Sequence, residues 1–189
     1  EFDFQLICEY FSSTDRQGPG NESSTLKAFS YLKDLPNHPK IADLGCGTGS
    51  SSLVLAKHTD AHITAIDLFP LFIEKLNIRA LQAHVIEKIY AMTGDMGELT
   101  FEEESMDVIW AEGSIYNVGF KQGVKEWYRF IKPGGYIAVT DATWLTDNRP
   151  KEIEDFWMEA YPEIDTQHNK VKQMEGFGYK NITTFTLSE

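Results

Sequence analysis

The stretch Asp43-Leu44-Gly45-Cys46-Gly47-Thr48-Gly49 combines an acid with three glycines at alternate positions. It follows a short apolar run and opens a helical pattern. Glycines at such a turn let the backbone bend sharply and approach a ligand closely. The N–H groups at the start of the following helix favour an electron-rich group. A second acid, Asp67, ends the next β-branched run, 22 residues after Gly45. That is the offset at which nucleotide-binding βαβ units hold ribose hydroxyls, and a carboxylate can accept two hydrogen bonds from a vicinal diol. A Gly-x-Gly-x-x-Gly fingerprint would need Gly or Ala at position 50, where Ser50 stands. Asp43 would repel a pyrophosphate and could attract a cationic amino group. Three glycines flanked by two acids argue against a bare turn.

Other residues invite two readings each. Gln17-Gly18-Pro19-Gly20 is either a surface turn or part of a lid over the glycine loop. Tyr10 and Phe11 could cover a reaction site, although packing of a short helix is the simpler expectation. Tyr116 and Asn117 lie in the loop after a strand, where a ligand contact is favoured over mere packing. Trp144 follows another strand and could wall a substrate site, whereas Phe156 and Trp157 fall on a helical stripe and are expected in the core. Cys46 is expected to be a small packing residue, with no His placed to activate it. His38, His58, His62, His84 and His168 show no metal-ligand spacing, so no metal is expected; His168 could serve as a base only if its segment folds toward the cleft. Glu102–Glu104 is expected to be a solvated loop.

The elements that must position these residues follow from periodicity. Phe4, Ile7, Cys8 and Phe11 lie on one face of a short helix, and Thr14–Ser24 is a polar loop. Leu26, Phe29, Tyr31, Leu32 and Leu35 predict a second helix ending before Pro36. From Lys40 strands and helices alternate: strands at 41–44, 62–66, 88–92, 107–111 and 136–141, and helices at Ser50–His58, from Pro70, around Val124–Ile131 and along Ile153–Ala160. Lys132-Pro133-Gly134-Gly135 reads as the stop of the helix before it. Asn181–Leu187 predicts a sixth strand. Strands spaced by single helices imply βαβ units and a parallel sheet. Ligands then bind beyond the carboxyl ends of the strands, where strand order reverses.

Composition narrows the classes. The 189 residues carry 17 Lys and Arg against 29 Asp and Glu, a net charge of −12. That disfavours wrapping of nucleic-acid phosphates. No run approaches a membrane span, and no signal-peptide pattern opens the chain. Two cysteines, Cys8 and Cys46, make no disulfide framework. A cytoplasmic protein of one domain is the expectation.

In order along the chain, IADLGCGTG (Ile41–Gly49), ITAIDLFP (Ile63–Pro70), GDMGELTFEEESMDVIWAEGS (Gly94–Ser114) and IKPGGYIAVTD (Ile131–Asp141) resemble the motifs of class I S-adenosylmethionine-dependent methyltransferases. RQGPG, EGSIYN and EIEDFWMEAYPEI more narrowly resemble small bacterial methyltransferases of the ubiquinone/menaquinone-biosynthesis-like group. The resemblance implies an α/β, doubly wound, mostly parallel sheet, the Rossmann-like methyltransferase fold. Residues 1–36 would form an N-terminal helical lid, 37–142 the cofactor-binding core, and 143–189 a substrate-side insertion and last strand. The family's final antiparallel strand is expected to be missing, since only Ser188 and Glu189 follow Leu187. Either the member lacks that strand or the chain is a piece of a longer one.

The resemblance also implies roles. Asp43 would hold the cofactor's amino group, and Gly45, Cys46, Gly47 and Gly49 would make room for its amino-acid part. Asp67 would take the ribose hydroxyls, Leu68 and Phe69 would cover the adenine, and Asp95 with the Met96 backbone would meet the adenine amino group. Gln17 and Gly18 would close over the cofactor, with Glu112 and Gly113 near the methionine moiety. Glu112 and Tyr116 are the candidate catalytic residues, and Tyr10, Asn117 and Trp144 face the substrate side. The implied reaction is methyl transfer from S-adenosylmethionine, leaving S-adenosylhomocysteine, to a small-molecule acceptor by in-line displacement. The alternatives are a non-catalytic S-adenosylmethionine-binding regulatory or scaffold protein and a nicotinamide-dependent oxidoreductase. A nucleic-acid or membrane partner is not expected, and the oligomeric state stays open.

Overall fold

The computed structural model describes residues 4–187. At its centre is strand β1 (Lys40–Leu44), whose Ile41, Ala42 and Leu44 are wholly buried. A continuous apolar run of this kind suits a strand covered on both faces. Strands β2 (His62–Asp67), β3 (Ile89–Thr93), β4 (Met106–Ala111) and β5 (Ile131–Val139) complete a parallel sheet of order β3-β2-β1-β4-β5. Strand order therefore reverses between β1 and β4. The loops after those two strands flank the crevice in which such sheets bind ligands.

Helices cover both faces. On one, α3 (Ser50–His58) and α4 (Pro70–Gln82) deliver Leu55, Ala56 and Leu76 onto Ile41, Ile63 and Trp110. Pro70 sits in the first turn of α4, where its missing N–H costs no hydrogen bond. On the other face, α5 (Phe120–Trp127) packs Val124 and Trp127 against Leu44, Ile66 and Ile109. Two N-terminal helices, α1 (Phe4–Ser12) and α2 (Glu22–Ser30), precede the sheet. The side chains of Phe4, Ile7 and Cys8, on which the first helical stripe rests, lie outside the described residues. Among the described residues no helix is long and apolar enough to cross a membrane.

Several expectations need correction. α2 begins at Glu22, inside the expected loop, because the Asn21 side chain caps it by accepting from the Ser24 N–H. It ends at Ser30, before Tyr31, Leu32 and Leu35. Lys132–Gly135 is not a helix stop but the bulged start of β5, where the register shifts between Met106 and Val108. A Cβ on Gly135 would come 2.8 Å from the Asp107 carbonyl, so the bulge needs a glycine there. Beyond β5 the chain forms a two-residue parallel pair, β6 (Thr143–Trp144) with β7 (Asp165–Thr166), enclosing α6 (Lys151–Ala160). The stripe on α6 is not core: Phe156 is 62% exposed and Trp157 38%. An unexpected helix, α7 (Gln167–Gly176), is capped by the Thr166 hydroxyl, which accepts from the Asn169 N–H. Residues 181–187 form no strand; Asn181 turns the chain at φ 55°, and side chains hold the segment, with Phe185 against Tyr31 and under Lys27.

Candidate functional site

The glycine turn is built by close approach. The N–H groups of Gly45 and Cys46 both donate to the Ile66 carbonyl, at 2.8 and 3.0 Å, which locks the turn to the end of β2. Gly45, Gly47 and Gly49 have φ of 68°, 55° and 90°. Added Cβ atoms there would lie 2.4 Å from Ser114 Cβ, 1.9 Å from Gln17 Oε1 and 2.0 Å from Leu76 Cδ1. The three positions thus combine left-handed backbone with occupied space.

Two acids frame the turn. Asp43, the fourth residue of β1, is 1% exposed and accepts a 2.5 Å hydrogen bond from the Ser52 hydroxyl. Burial raises its pKa to about 7, against the hydrogen bond from Ser52 and with the Glu112 and Asp67 charges adding to the rise. Asp67 is 9% exposed, and its Oδ2 accepts from the Gly47 N–H at 2.8 Å while Oδ1 accepts from Phe69 N–H at 3.1 Å. Burial raises its pKa too, and the backbone donors pull the other way. Each carboxylate oxygen retains a lone pair for a further donor. Burial, with the Asp43 and Asp67 charges adding to it, pushes the Cys46 thiol well up, so it is an inert packing group.

The N-terminal segment lies across this turn. Gln17 Oε1 accepts from the Thr48 N–H at 3.2 Å, and Gly18 packs 3.7 Å from where a Gly113 Cβ would stand. Arg16 forms an ion pair with Glu112 just past β4. The same carboxylate accepts from the buried Thr25 hydroxyl at 3.1 Å and from Trp110 Nε1 at 2.9 Å. Arg79 of α4 donates to the carbonyls of Asp15 and Thr48 at 2.8 and 2.9 Å. Arg16, Thr25 and Arg79 are not marked by local spacing because their partners are distant in the chain, and Ser52, only nine residues from Asp43, carries no signal that sets it apart from the other serines opening α3.

The structure brings Asp43, the glycine turn, Asp67, Glu112, Gly113, Gln17 and Gly18 together at the carboxyl end of the sheet. Asp95 stands beside it, two residues beyond the Asp67–Thr93 pair, and accepts from the Gly97 N–H at 2.7 Å. Met96 anchors Trp127 through its carbonyl and points its Cε toward Gly45. Phe69 packs edge-on against Phe72, and Leu68 is exposed. Tyr116 is exposed against the Tyr161 ring, and Asn117 binds back to the Ser114 carbonyl. Trp144 lies under the Arg149 guanidinium at 4.3 Å. Tyr10 is 66% exposed and lies edge-on to the Phe11 ring, and His168 is exposed at the start of α7.

Residues 41–135, the stretch that builds this turn and its strands, match the family described as Methyltransferase domain. The chain belongs to that family. Among curated relatives, sarcosine/dimethylglycine N-methyltransferase of Aphanothece halophytica is 32% identical over 65% of this chain and 44% of its own length. Sterol 24-C-methyltransferase of Candida albicans is 27% identical over 75% of this chain and 34% of its own length. This methyltransferase domain thus spans less than half the length of those relatives. A solved SAM-dependent methyltransferase from Geobacter sulfurreducens, in complex with S-adenosyl-L-homocysteine, superposes with a TM-score of 0.80 at 18% identity, covering 95% of this chain and 72% of that one. YjhP from E. coli gives 0.80 at 23% identity, over 94% and 72%. These likenesses establish the Rossmann-like methyltransferase fold; they do not single out the ubiquinone/menaquinone-like group.

Proposed function

We propose that the crevice binds S-adenosylmethionine and that the protein transfers its methyl group to a small-molecule acceptor. The observation that carries this reading is Asp43, a buried carboxyl poised between its charged and neutral forms beside a glycine turn, with family membership behind it. A cationic ammonium would draw Asp43 into its ionised form. Asp67, with free lone pairs on both oxygens, would take the ribose diol. Phe69 and Leu68 would flank the adenine, with Asp95 and the Met96 backbone at its amino group. Cys46 would contribute backbone rather than its thiol. Gln17, Gly18 and Gly113 would close over the amino-acid part. The group supplies, when bound, an electrophilic methyl on sulfur.

This chain's part is to align and to exclude water. Arg16 pairs with Glu112, so that acid would hold the N-terminal segment down as a lid, and no extra charge need face the sulfur. Residues 37–142 would be the donor-binding core, and 143–189, with Tyr116, Asn117, Trp144 and Tyr10, the acceptor side. Calorimetric titration tests the reading. S-adenosylhomocysteine should bind and NAD should not; the reverse result overturns it. Added small-molecule acceptors should release S-adenosylhomocysteine, whereas tight binding without turnover would favour the scaffold role.

A further inference from the structure

Two residues past β5, Asp141 sits at the same end of the sheet as Glu112 and Gly113. Thr140 fixes it there: its N–H donates to the Ala111 carbonyl at 3.0 Å, and its hydroxyl accepts from the Gly113 N–H at 2.7 Å. The Asp141 side chain is 3% exposed and forms an ion pair with Lys170, 6% exposed, on α7. Its Oδ2 accepts both from Lys170 and, at 2.9 Å, from the Tyr161 hydroxyl. Its Oδ1 is buried and has no hydrogen-bond partner; among the described residues only Arg149 Nε shares that condition.

The neighbours cannot serve that second oxygen. Lys170 also donates to the Glu163 carbonyl at 3.0 Å and lies over the rings of Phe120 and Tyr161, at 4.4 and 5.0 Å. Burial and the Asp141 charge hold the Tyr161 phenol protonated, so it remains a donor to Oδ2. A buried carboxylate oxygen without a donor is costly, and a functional site is one place where native structures keep such an atom. The ligand that suits it must therefore donate a hydrogen bond. It must also be neutral, because the Asp141 and Lys170 charges already cancel and an ammonium would be repelled by Lys170. Tyr161, which touches Asp141, stacks edge-on with the exposed Tyr116 ring at 6.3 Å, and that aromatic pair favours an apolar body.

We propose that Asp141 Oδ1 anchors the hydroxyl group of the methyl acceptor, a neutral alcohol or phenol, with Lys170 and Tyr161 as positioning residues that hold the other oxygen. This rests on the methyl-transfer reading for its word acceptor, but the anchor can be tested without it. Phenol and anisole, which differ in the single donor proton, are titrated with and without S-adenosylhomocysteine. The Asp141 carboxyl carbon is followed by NMR and assigned by its loss in Asp141→Asn. Phenol should shift that signal and bind at least tenfold more tightly than anisole. Asp141→Asn should erase the preference, and Tyr161→Phe, which leaves Oδ1 untouched, should keep it. An unmoved Asp141 signal, or equal binding of the two probes, overturns the proposal and leaves Oδ1 to a buried water. Failure of S-adenosylhomocysteine to bind would sink the methyl-transfer reading alone, since the phenol preference is read in its absence too.

Discussion

The hydroxyl of Ser52, in the first turn of α3, donates to the carboxyl of Asp43 on β1 at 2.5 Å, entirely out of solvent. Because the pair is buried, the titration of Asp43 is tied to folding. Its native pKa is about 7 against 3.8 in the unfolded chain. Between those values the native state keeps a proton that the unfolded chain has lost, so this group's stabilisation is full below pH 4 and vanishes as pH rises through 7. At about 1.4 kcal/mol per pH unit, the window is worth on the order of 4 kcal/mol. Asp43→Asn should thus gain on the parent protein as pH goes from 5 to 8, measured by paired denaturant titrations. Parallel curves would dissociate Asp43 from this effect.

Ligand binding should show the same proton. If an ammonium group docks at Asp43, the carboxyl must ionise. Binding of S-adenosylhomocysteine at pH 7 should release about half a proton, and affinity should rise from pH 6 to pH 8. Calorimetry in phosphate and in Tris reads the release directly.

Removing Arg16 leaves Glu112, whose side chain is 8% exposed, with two neutral donors and no countercharge. Arg16→Ala should cost about 3 kcal/mol in global stability, the lower end of the range for breaking a buried pair. It should also speed proteolysis within residues 13–20. Stability within half a kcal/mol of the parent would make the pair incidental.

The glycines should separate stability from binding. Gly49→Ala places a Cβ 2.0 Å from Leu76 Cδ1 at φ 90°, and Leu76 is wholly buried, so a loss of roughly 2–4 kcal/mol is expected. Gly47→Ala meets the tip of Gln17 instead, which can swing away. Its stability should fall by only about 1 kcal/mol, while S-adenosylhomocysteine affinity drops markedly. Thermal melts and titrations on both variants check the contrast.

Asp67→Ala deletes the acceptor for the Gly47 and Phe69 amides as well as the candidate diol contact. S-adenosylhomocysteine should bind more weakly by roughly 1–3 kcal/mol. Unchanged affinity would remove Asp67 from the site.

What could be read from the sequence was what is local. β1 stood out because Ile41–Leu44 is buried on both faces, and the turn because glycines and acids sit within a few residues of one another. Glu112 was picked out, but its partners were not, since Arg16 and Thr25 lie 96 and 87 residues away. The Asp141–Lys170–Tyr161 cluster was invisible for the same reason. The α6 stripe shows the converse error: helical period reports that one face is apolar, not that anything covers it. Asn181–Leu187 has β-branched residues but pairs with no strand and is held by side-chain contacts of Phe185 instead, so composition alone misled.

The three turn glycines each abut a different, distant part of the chain: Ser114 after β4, Gln17 in the N-terminal segment, Leu76 on α4. The crevice therefore cannot take shape from the β1–α3 unit alone. It must wait for contacts across long sequence separations, which form late when a chain folds. A folding intermediate holding only β1 to β3 would have Leu76 against Gly49 but neither Ser114 against Gly45 nor Gln17 against Gly47. Ligand would then select the finished fold over every partial one and stabilise it by mass action.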